Sequence, residues 1–505
     1  MSENLFELIR ARIPAASKTV IETEDGVITY GDLVALSGRA ANALRACGVG
    51  VGDRVAVQLD KSPEMLIVYL ACLRAGAVFL PLNTGYTLAE IEYFVSDAGP
   101  SLVLCRPATL EAMRALGARL GVGAVESLGT QRDGTFWPKV EAAAPDFADA
   151  PRAASDLAAI LYTSGTTGRS KGAMLSHRNL ASNSLTLVDV WRFTAADVLI
   201  HALPIYHTHG LFVATNVTLF AGASMIFQPK FDPDAILRVM PRATAMMGVP
   251  TFYTRLLEHP GLTRAATKHM RLFVSGSAPL LAETHEQWRA RTGHAILERY
   301  GMTETNMNTS NPYDGDRVAG TVGFPLPDVA LRIADPESGR ILPQGEIGVI
   351  EVRGPNVFSG YWRMPEKTAS EFRPDGFFIT GDLGRIDERG YVHIVGRAKD
   401  LIISGGFNVY PKEVESEIDA LPGVVESAVF GVAHPDFGEG VTAVVVTVKG
   451  AALEEKQVIA ALENRLAKFK LPKRVFIVDD LPRNAMGKVQ KNLLRETHKH
   501  LYARV

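Results

Sequence analysis

At 505 residues the chain is too long for one ordinary hydrophobic core, so two or more domains are expected. Its 47% apolar and 21% charged residues are those of a soluble globular protein, and a net charge of −2 gives no electrostatic footprint for nucleic acid or an anionic membrane. Met1-Ser2-Glu3-Asn4-Leu5-Phe6 carries acid early and no apolar leader core, and Cys47, Cys72 and Cys105 are odd in number with no metal-ligand spacing. A reducing, cytoplasmic setting is therefore expected.

The first hundred residues alternate helix and strand signals. Asp32 is placed to cap a helix running to about Ala46, and 54–59 reads as a strand. Pro63 suits the first turn of a helix over 64–74, followed by a strand over 78–80, a helix over 88–96 and a strand over 102–105. The most apolar window, 65–82, is broken by Arg74 and Gly76 and reads as a buried helix and strand, not a membrane span. This alternation argues for parallel sheets flanked by helices. The Ala-rich stretch 141–154 reads as a surface connection. Short strands with Gly turns are expected within 345–353 and 376–395. Beyond about 400 come a helix over 411–420, a strand over 441–448, a helix over 457–468 and a strand over 474–478. The fold class is thus α/β: a large N-terminal region over 1–398, mainly parallel sheets with helices, and a small α+β domain over 399–505.

The apolar run 157–161 opens into Tyr162-Thr163-Ser164-Gly165-Thr166-Thr167-Gly168-Arg169-Ser170-Lys171-Gly172. Glycines let a backbone come close to a polyphosphate, N–H groups and hydroxyls can point inward, and Lys171 supplies charge. The spacing is not that of a Walker loop. Taken alone, the stretch also suits a Thr- and Gly-rich surface linker.

The same loop, with Tyr300-Gly301-Met302-Thr303-Glu304, Thr380-Gly381-Asp382, Gly396-Arg397-Ala398-Lys399-Asp400 and Gly487-Lys488, resembles the ordered motifs of the adenylate-forming superfamily. That family includes acyl-CoA synthetases, peptide-synthetase adenylation domains and beetle luciferases, and the likeness spans nearly the whole chain. It implies activation of a small-molecule carboxylate with ATP to an acyl-adenylate and pyrophosphate, then acyl transfer to a thiol such as that of CoA.

By that resemblance Thr163, Ser164, Gly165, Thr166, Thr167, Gly168 and Lys171 hold the β- and γ-phosphates. Glu304, with Thr163, contributes to a Mg²⁺ site, for which hard oxygen ligands are suited. Tyr300 stacks on adenine beside Gly276, Ser277 and Ala278, with Gly301 and Thr303 in the same motif. Asp382 accepts from the ribose hydroxyls, helped by Arg397; in isolation it is equally a turn residue. Lys488 is the expected catalytic cation, stabilising charge as the carboxylate attacks the α-phosphate. Alone, it is equally an exposed lysine of a basic tail. Lys399 falls at the family's hinge, making the small domain mobile, and Ser404, Gly405 and Gly406 match the segment facing the CoA thiol tunnel. Acetylation of Lys488 would remove its charge, which makes a lysine acetyltransferase a candidate partner.

Pro204-Ile205-Tyr206-His207-Thr208-His209-Gly210 resembles the motif bordering the acyl pocket, where His207 shapes or gates the site. His209 is as readily an ordinary polar residue at a helix start. Many relatives carry a small residue before Tyr-Gly-Met-Thr-Glu; here it is Arg299. A guanidinium suits a second carboxylate, which it binds in a fork, and poorly suits an aliphatic or aryl tail. The alternative is that Arg299 pairs with Glu298 or another acid. The Glu298–Glu304 run resembles that of malonyl-CoA synthetases, so Arg299, His207, Thr208 and His209 are expected to line a malonate pocket, with methylmalonate as a second substrate. The other readings are a short-chain, medium-chain or aryl acyl-CoA synthetase and, outside catalysis, an adenylate sensor.

Overall fold

The computed structural model describes residues 3–163, 170–405, 407–451, 453–463, 465–484 and 487–503. The chain forms two compact units, one of Met1–Ala330 with Arg353–Gly376, the other of Leu331–Val352 with Phe377–Val505.

Two sheets build the first unit. A six-stranded sheet runs in the order Ala124–Ser127, Leu102–Cys105, Arg54–Gln58, Val78–Pro81, Leu157–Thr163, Lys171–Ser176, parallel except for its last pair. A nine-stranded sheet runs from Phe324–Pro325 through Asn306–Ser310, Leu297–Met302, Leu272–Ser275, Ala245–Gly248, Val198–His201, Ser224–Phe227 and Thr19–Thr23 to Gly26–Thr29. It is parallel from Leu297–Met302 to Thr19–Thr23 and antiparallel at both ends. Open sheets of this kind gather functional groups beyond the carboxyl ends of their strands.

The helices start and stop where local chemistry dictates. Ser62 caps Pro63–Ala75 through Met65 N–H, Pro63 fills the first turn, and Gly76 closes it at φ 69°. Twelve of that helix's thirteen residues are buried, so the apolar run between Glu64 and Arg74 is that of a core helix. Among the described residues, no helix is long and apolar enough to cross a membrane.

The second unit holds a four-stranded sheet, Ala330–Ala334, Gly348–Arg353, Phe378–Ile386, Val392–Arg397, and a five-stranded sheet. In the latter, Gly438–Thr447 pairs with Ile402–Ser404, Val424–His434 and Arg474–Val478, and Ile402–Ser404 also with Phe407–Val409. Helices Pro411–Asp419 and Glu455–Leu462 supply Val414, Ile418, Val458 and Leu462 to its core.

Several local expectations are corrected. Thr29, not Asp32, caps Tyr30–Ala46; Asp32 is the reciprocal partner of a capping box. The helix expected to 468 ends at Leu462. The 141–154 stretch is the expected surface connection, pinned at one point: Asp149 accepts from Arg74 at 2.6 Å and lies 2.7 Å from Arg10, with its side chain 1% exposed. Asn4 Nδ2 donates to the Ala150 carbonyl at 2.9 Å beside it.

Candidate active site

In the first unit, the expected acyl-site residues follow the carboxyl ends of neighbouring parallel strands: 202–209 after Val198–His201, Gly276-Ser277-Ala278 after Leu272–Ser275, and Arg299 to Gly301 within Leu297–Met302. Arg299 is 3% exposed, and its Nε and Nη2 have no hydrogen-bond partner among the described residues. Burial pulls its pKa down to about 9, opposed by the nearby Tyr253 hydroxyl, which itself donates to Val274 O at 2.6 Å. Glu298 does not offset it. Successive strand residues face opposite sides, and among the described residues no carboxylate pairs with the Arg299 guanidinium. A buried unpaired cation costs several kcal/mol, so this arrangement calls for an anion.

Gly276 makes the arrangement possible. A Cβ there would come within 2.5 Å of Arg299 Nη1. Ser277, at φ 73°, lies 3.2 Å through its Oγ from His209 Nδ1. His209 is 2% exposed, its Nε2 has no partner, and its pKa is held far down by burial and then by the Arg299 cation. Thr208 Oγ1 is likewise buried without a partner. His209 opens a π-helical segment, His209–Thr215, fixed by the contacts of His201 Nε2 with Gly210 O (2.9 Å) and Thr215 Oγ1 (3.1 Å). Such segments recur at functional sites. The structure therefore brings together Arg299, His209, Gly276 and Ser277; Ala278 follows Ser277 in the chain.

His207 and Thr303 line a second hollow with Asn83, Tyr86, Tyr162 and Tyr206. Burial lowers the His207 pKa to about 4, which leaves it neutral near pH 7. Tyr300 is 8% exposed, and Gly301 packs so tightly against the Asn306 backbone that no side chain fits.

Thr163 and Lys171 are partners in the antiparallel pair that flanks the expected phosphate loop. Ser164, Gly165, Thr166, Thr167 and Gly168 lie outside the described residues. Lys171 Nζ is 3.3 Å from Glu371, and Glu304 Oε1 accepts from Tyr361 OH at 3.0 Å. Among the described residues, no group of three or more His, Cys, Asp or Glu side chains could hold a metal. One buried carboxylate, Glu304, fits Mg²⁺ because that ion retains waters and takes phosphate oxygens.

The second unit carries its own polar cluster. Asp382 and Arg397 are partners across adjacent strands, with Nε–Oδ1 at 2.7 Å. Lys488 is exposed by surface area, yet its pKa is lowered, by desolvation first and then by Arg397, with Asp382 and Asp400 opposing. Lys399 is pulled down to about 8 by burial, with Arg397, Lys488 and Arg495 adding to the effect against Asp400. The catalytic and hinge candidates thus share one field. Ser404 is 2% exposed; Gly405, at φ 61°, donates to Phe437 O at 2.8 Å; Gly406 lies outside the described residues. Sequence reading missed Tyr253, Tyr361 and Glu371, which carry no motif, and the pairing of Asp400, itself in a motif, with the distant Arg495 at 2.8 Å.

Comparison with known proteins matches this architecture. The description "AMP-binding enzyme" fits residues 10–362, and "AMP-binding enzyme C-terminal domain" fits 413–488. The structure of ATP-bound MatB from Rhodopseudomonas palustris is similar at 67% identity and a TM-score of 0.98, over 99% of this chain and 100% of that one. Among relatives, a feruloyl-CoA synthase of Amycolatopsis sp is 37% identical over 96% of this chain and 97% of its own. A malonate–CoA ligase of Arabidopsis thaliana is 34% identical over 98% and 89%. The chain belongs to the AMP-binding enzyme family, within the adenylate-forming superfamily, whose ligases use ATP, CoA and Mg²⁺.

Proposed function

We propose that this protein is a malonyl-CoA synthetase, an AMP-forming acid–thiol ligase that joins malonate to CoA through malonyl-adenylate and releases pyrophosphate and AMP. The observation that carries malonate is the buried Arg299 guanidinium, with Nε and Nη2 unpartnered among the described residues and His209 nearby. A second carboxylate supplies the missing acceptors in a bidentate fork; an alkyl or aryl tail leaves the cation stranded. The malonate–CoA ligase likeness supports the same reading. Methylmalonate, which differs by one methyl group, is the second substrate.

The first carboxylate is ionised at pH 7 and needs no general base. Lys488 supplies the cation that stabilises charge gathering between that carboxylate and the α-phosphate. Thr163 and Lys171 hold the outer phosphates, and Tyr300 with the 276–278 turn receives the adenine. Asp382 and Arg397 orient the ribose, and His207 shapes the acyl entrance. Glu304 with Thr163 would hold Mg²⁺, which would supply neutralisation of the phosphate charge. Ser404 and Gly405 face the CoA thiol in the second half-reaction, with Lys399 as hinge between domains 1–398 and 399–505. Cytoplasmic location suits free Cys47, Cys72 and Cys105. A lysine acetyltransferase acting on Lys488 would silence the first step.

The test is CoA- and ATP-dependent pyrophosphate release with malonate, methylmalonate, succinate, propionate, octanoate and 4-coumarate, products identified by mass spectrometry. Malonate preference with propionate nearly inert is expected. Preference for a monocarboxylate overturns the substrate assignment and leaves an acyl-CoA synthetase; no pyrophosphate with any acid leaves an adenylate sensor.

A further inference from the structure

Lys171 is already engaged. Its ammonium lies 3.3 Å from Glu371 Oε1 and 4.1 Å from the centre of the Tyr361 ring. Glu371 is also held from two other directions: Lys367 reaches Oε1 at 2.6 Å, and Tyr361 OH donates to Oε2 at 2.7 Å. The same hydroxyl is 3.0 Å from Glu304 Oε1. A phenol has one proton and serves one carboxylate at a time.

Tyr361 is a fixed post. It is 2% exposed, and its segment is laced to the strand Lys171–Ser176. Trp362 N–H donates to Gly172 O at 2.7 Å, Met174 N–H to Gly360 O at 3.0 Å, and Ser359 N–H to Met174 O at 3.0 Å. Tyr361 itself bridges to Ala173. The side chains of Lys171 and Glu371, 22% and 19% exposed, have more freedom.

We infer that Glu371 is the resident counter-anion of Lys171, which the outer phosphates of a nucleoside triphosphate must displace, and that Tyr361 couples this exchange to Glu304. The inference rests on the reading of Thr163 and Lys171 as flanking the triphosphate site. When the ammonium turns to a phosphate, Glu371 keeps Lys367 and draws the phenol proton wholly to itself. Its charge is thus never stranded. Glu304 Oε1 then gives up its hydrogen bond from the phenol, which raises the negative charge it presents to a hard cation. A nucleoside monophosphate has no outer phosphates to reach Lys171, so its binding leaves the pair intact. Glu371 therefore sets how tightly triphosphate binds relative to monophosphate.

The experiment is calorimetric titration of the full-length protein with MgATP and, separately, AMP, in the absence of any carboxylic acid so that no adenylate forms. Glu371→Gln is expected to tighten MgATP about two- to fivefold, the scale of a partly exposed ion pair, and to leave AMP unchanged. In a Lys171→Ala background the same substitution should have no effect on MgATP. Weaker or unchanged MgATP binding by Glu371→Gln, an equal change in AMP binding, or a Glu371→Gln effect that persists without Lys171 each overturns the inference while sparing the triphosphate site. MgATP binding by Lys171→Ala as tight as the parent's overturns the site itself and the inference with it. Thermal unfolding of each variant identifies any that has lost its fold.

Discussion

Gly276 and Arg299 occupy one another's space: the guanidinium lies where a Cβ on residue 276 would have to be, 2.5 Å from Nη1. A glycine is needed here for close approach, not for an unusual backbone angle. Gly276→Ala should therefore push Arg299 off its position, and overpacking of this kind costs about 1–3 kcal/mol. Malonate kcat/KM should fall about tenfold or more, by a larger factor than any change in ATP KM. Equal losses for the two substrates would show that the glycine serves the nucleotide pocket alone.

That relationship also shows what a sequence can and cannot reveal. Ser62, Pro63 and Gly76 mark both ends of one helix because caps are local chemistry, and the site motifs are visible because each is contiguous. Val424–His434, the longest strand at eleven residues, was not anticipated: Glu426, Ser427 and Gly431 interrupt its apolar pattern, and pairing with Gly438–Thr447 overrides them. The pinning of Asp149 leaves no local signal, because its partners, Arg74 and Arg10, are far away in the chain. Arg299 was legible as an anomaly, but the absence of a partner for it depends on the packing of 202–209, 276–277 and Tyr253.

Acid should weaken the fold through its histidines. Burial holds His177 and His207 down to about 4, and His201 and His209 well below the ordinary value. Unfolded, each binds its proton near pH 6.5. The unfolded chain then carries more protons between about pH 6.5 and 4, so stability is full above that window and falls as pH drops through it. The loss is about 2 kcal/mol per histidine by pH 5. Urea unfolding at pH 7, 6 and 5 should show the decline, and His177→Gln should lessen it by about one proton. Stability that stays flat from pH 7 to 5 would mean that these rings are charged in the fold.

Lys488 shares its surroundings with Arg397, Asp382 and Asp400, a field suited to holding a cation where an anion will form. Lys488→Ala should reduce adenylation about 10³-fold, the scale of losing one preorganised charge-stabilising group, yet largely spare thioester formation from supplied malonyl-adenylate. Acetyl-lysine placed at 488 should behave the same way. Equal loss in both half-reactions would remove Lys488 from its step-specific role.

Lys399 sits in the short turn Ala398–Asp400, between the strand ending at Arg397 and the one beginning at Ile402. Proline fixes φ and restricts the residue before it. Lys399→Pro should therefore slow thioester formation more than adenylation, as pre-steady-state assays of the separate half-reactions would report. An equal slowing of both would argue that residue 399 supports structure and is not a hinge.

Arg299 offers the sharpest discrimination, because charge and geometry can be separated there. Arg299→Ala removes both, and malonate kcat/KM should fall by about 10² or more, with MgATP binding retained. Arg299→Lys keeps a cation but loses the planar fork, and should recover only part of that loss. Relief of the buried charge should also make Arg299→Ala more stable to heat in the absence of substrate, since the unpaired guanidinium opposes folding. A variant that turns over malonate normally would place the second carboxylate elsewhere. One that loses malonate turnover and stability together would instead make Arg299 a structural residue whose burial is compensated within the fold.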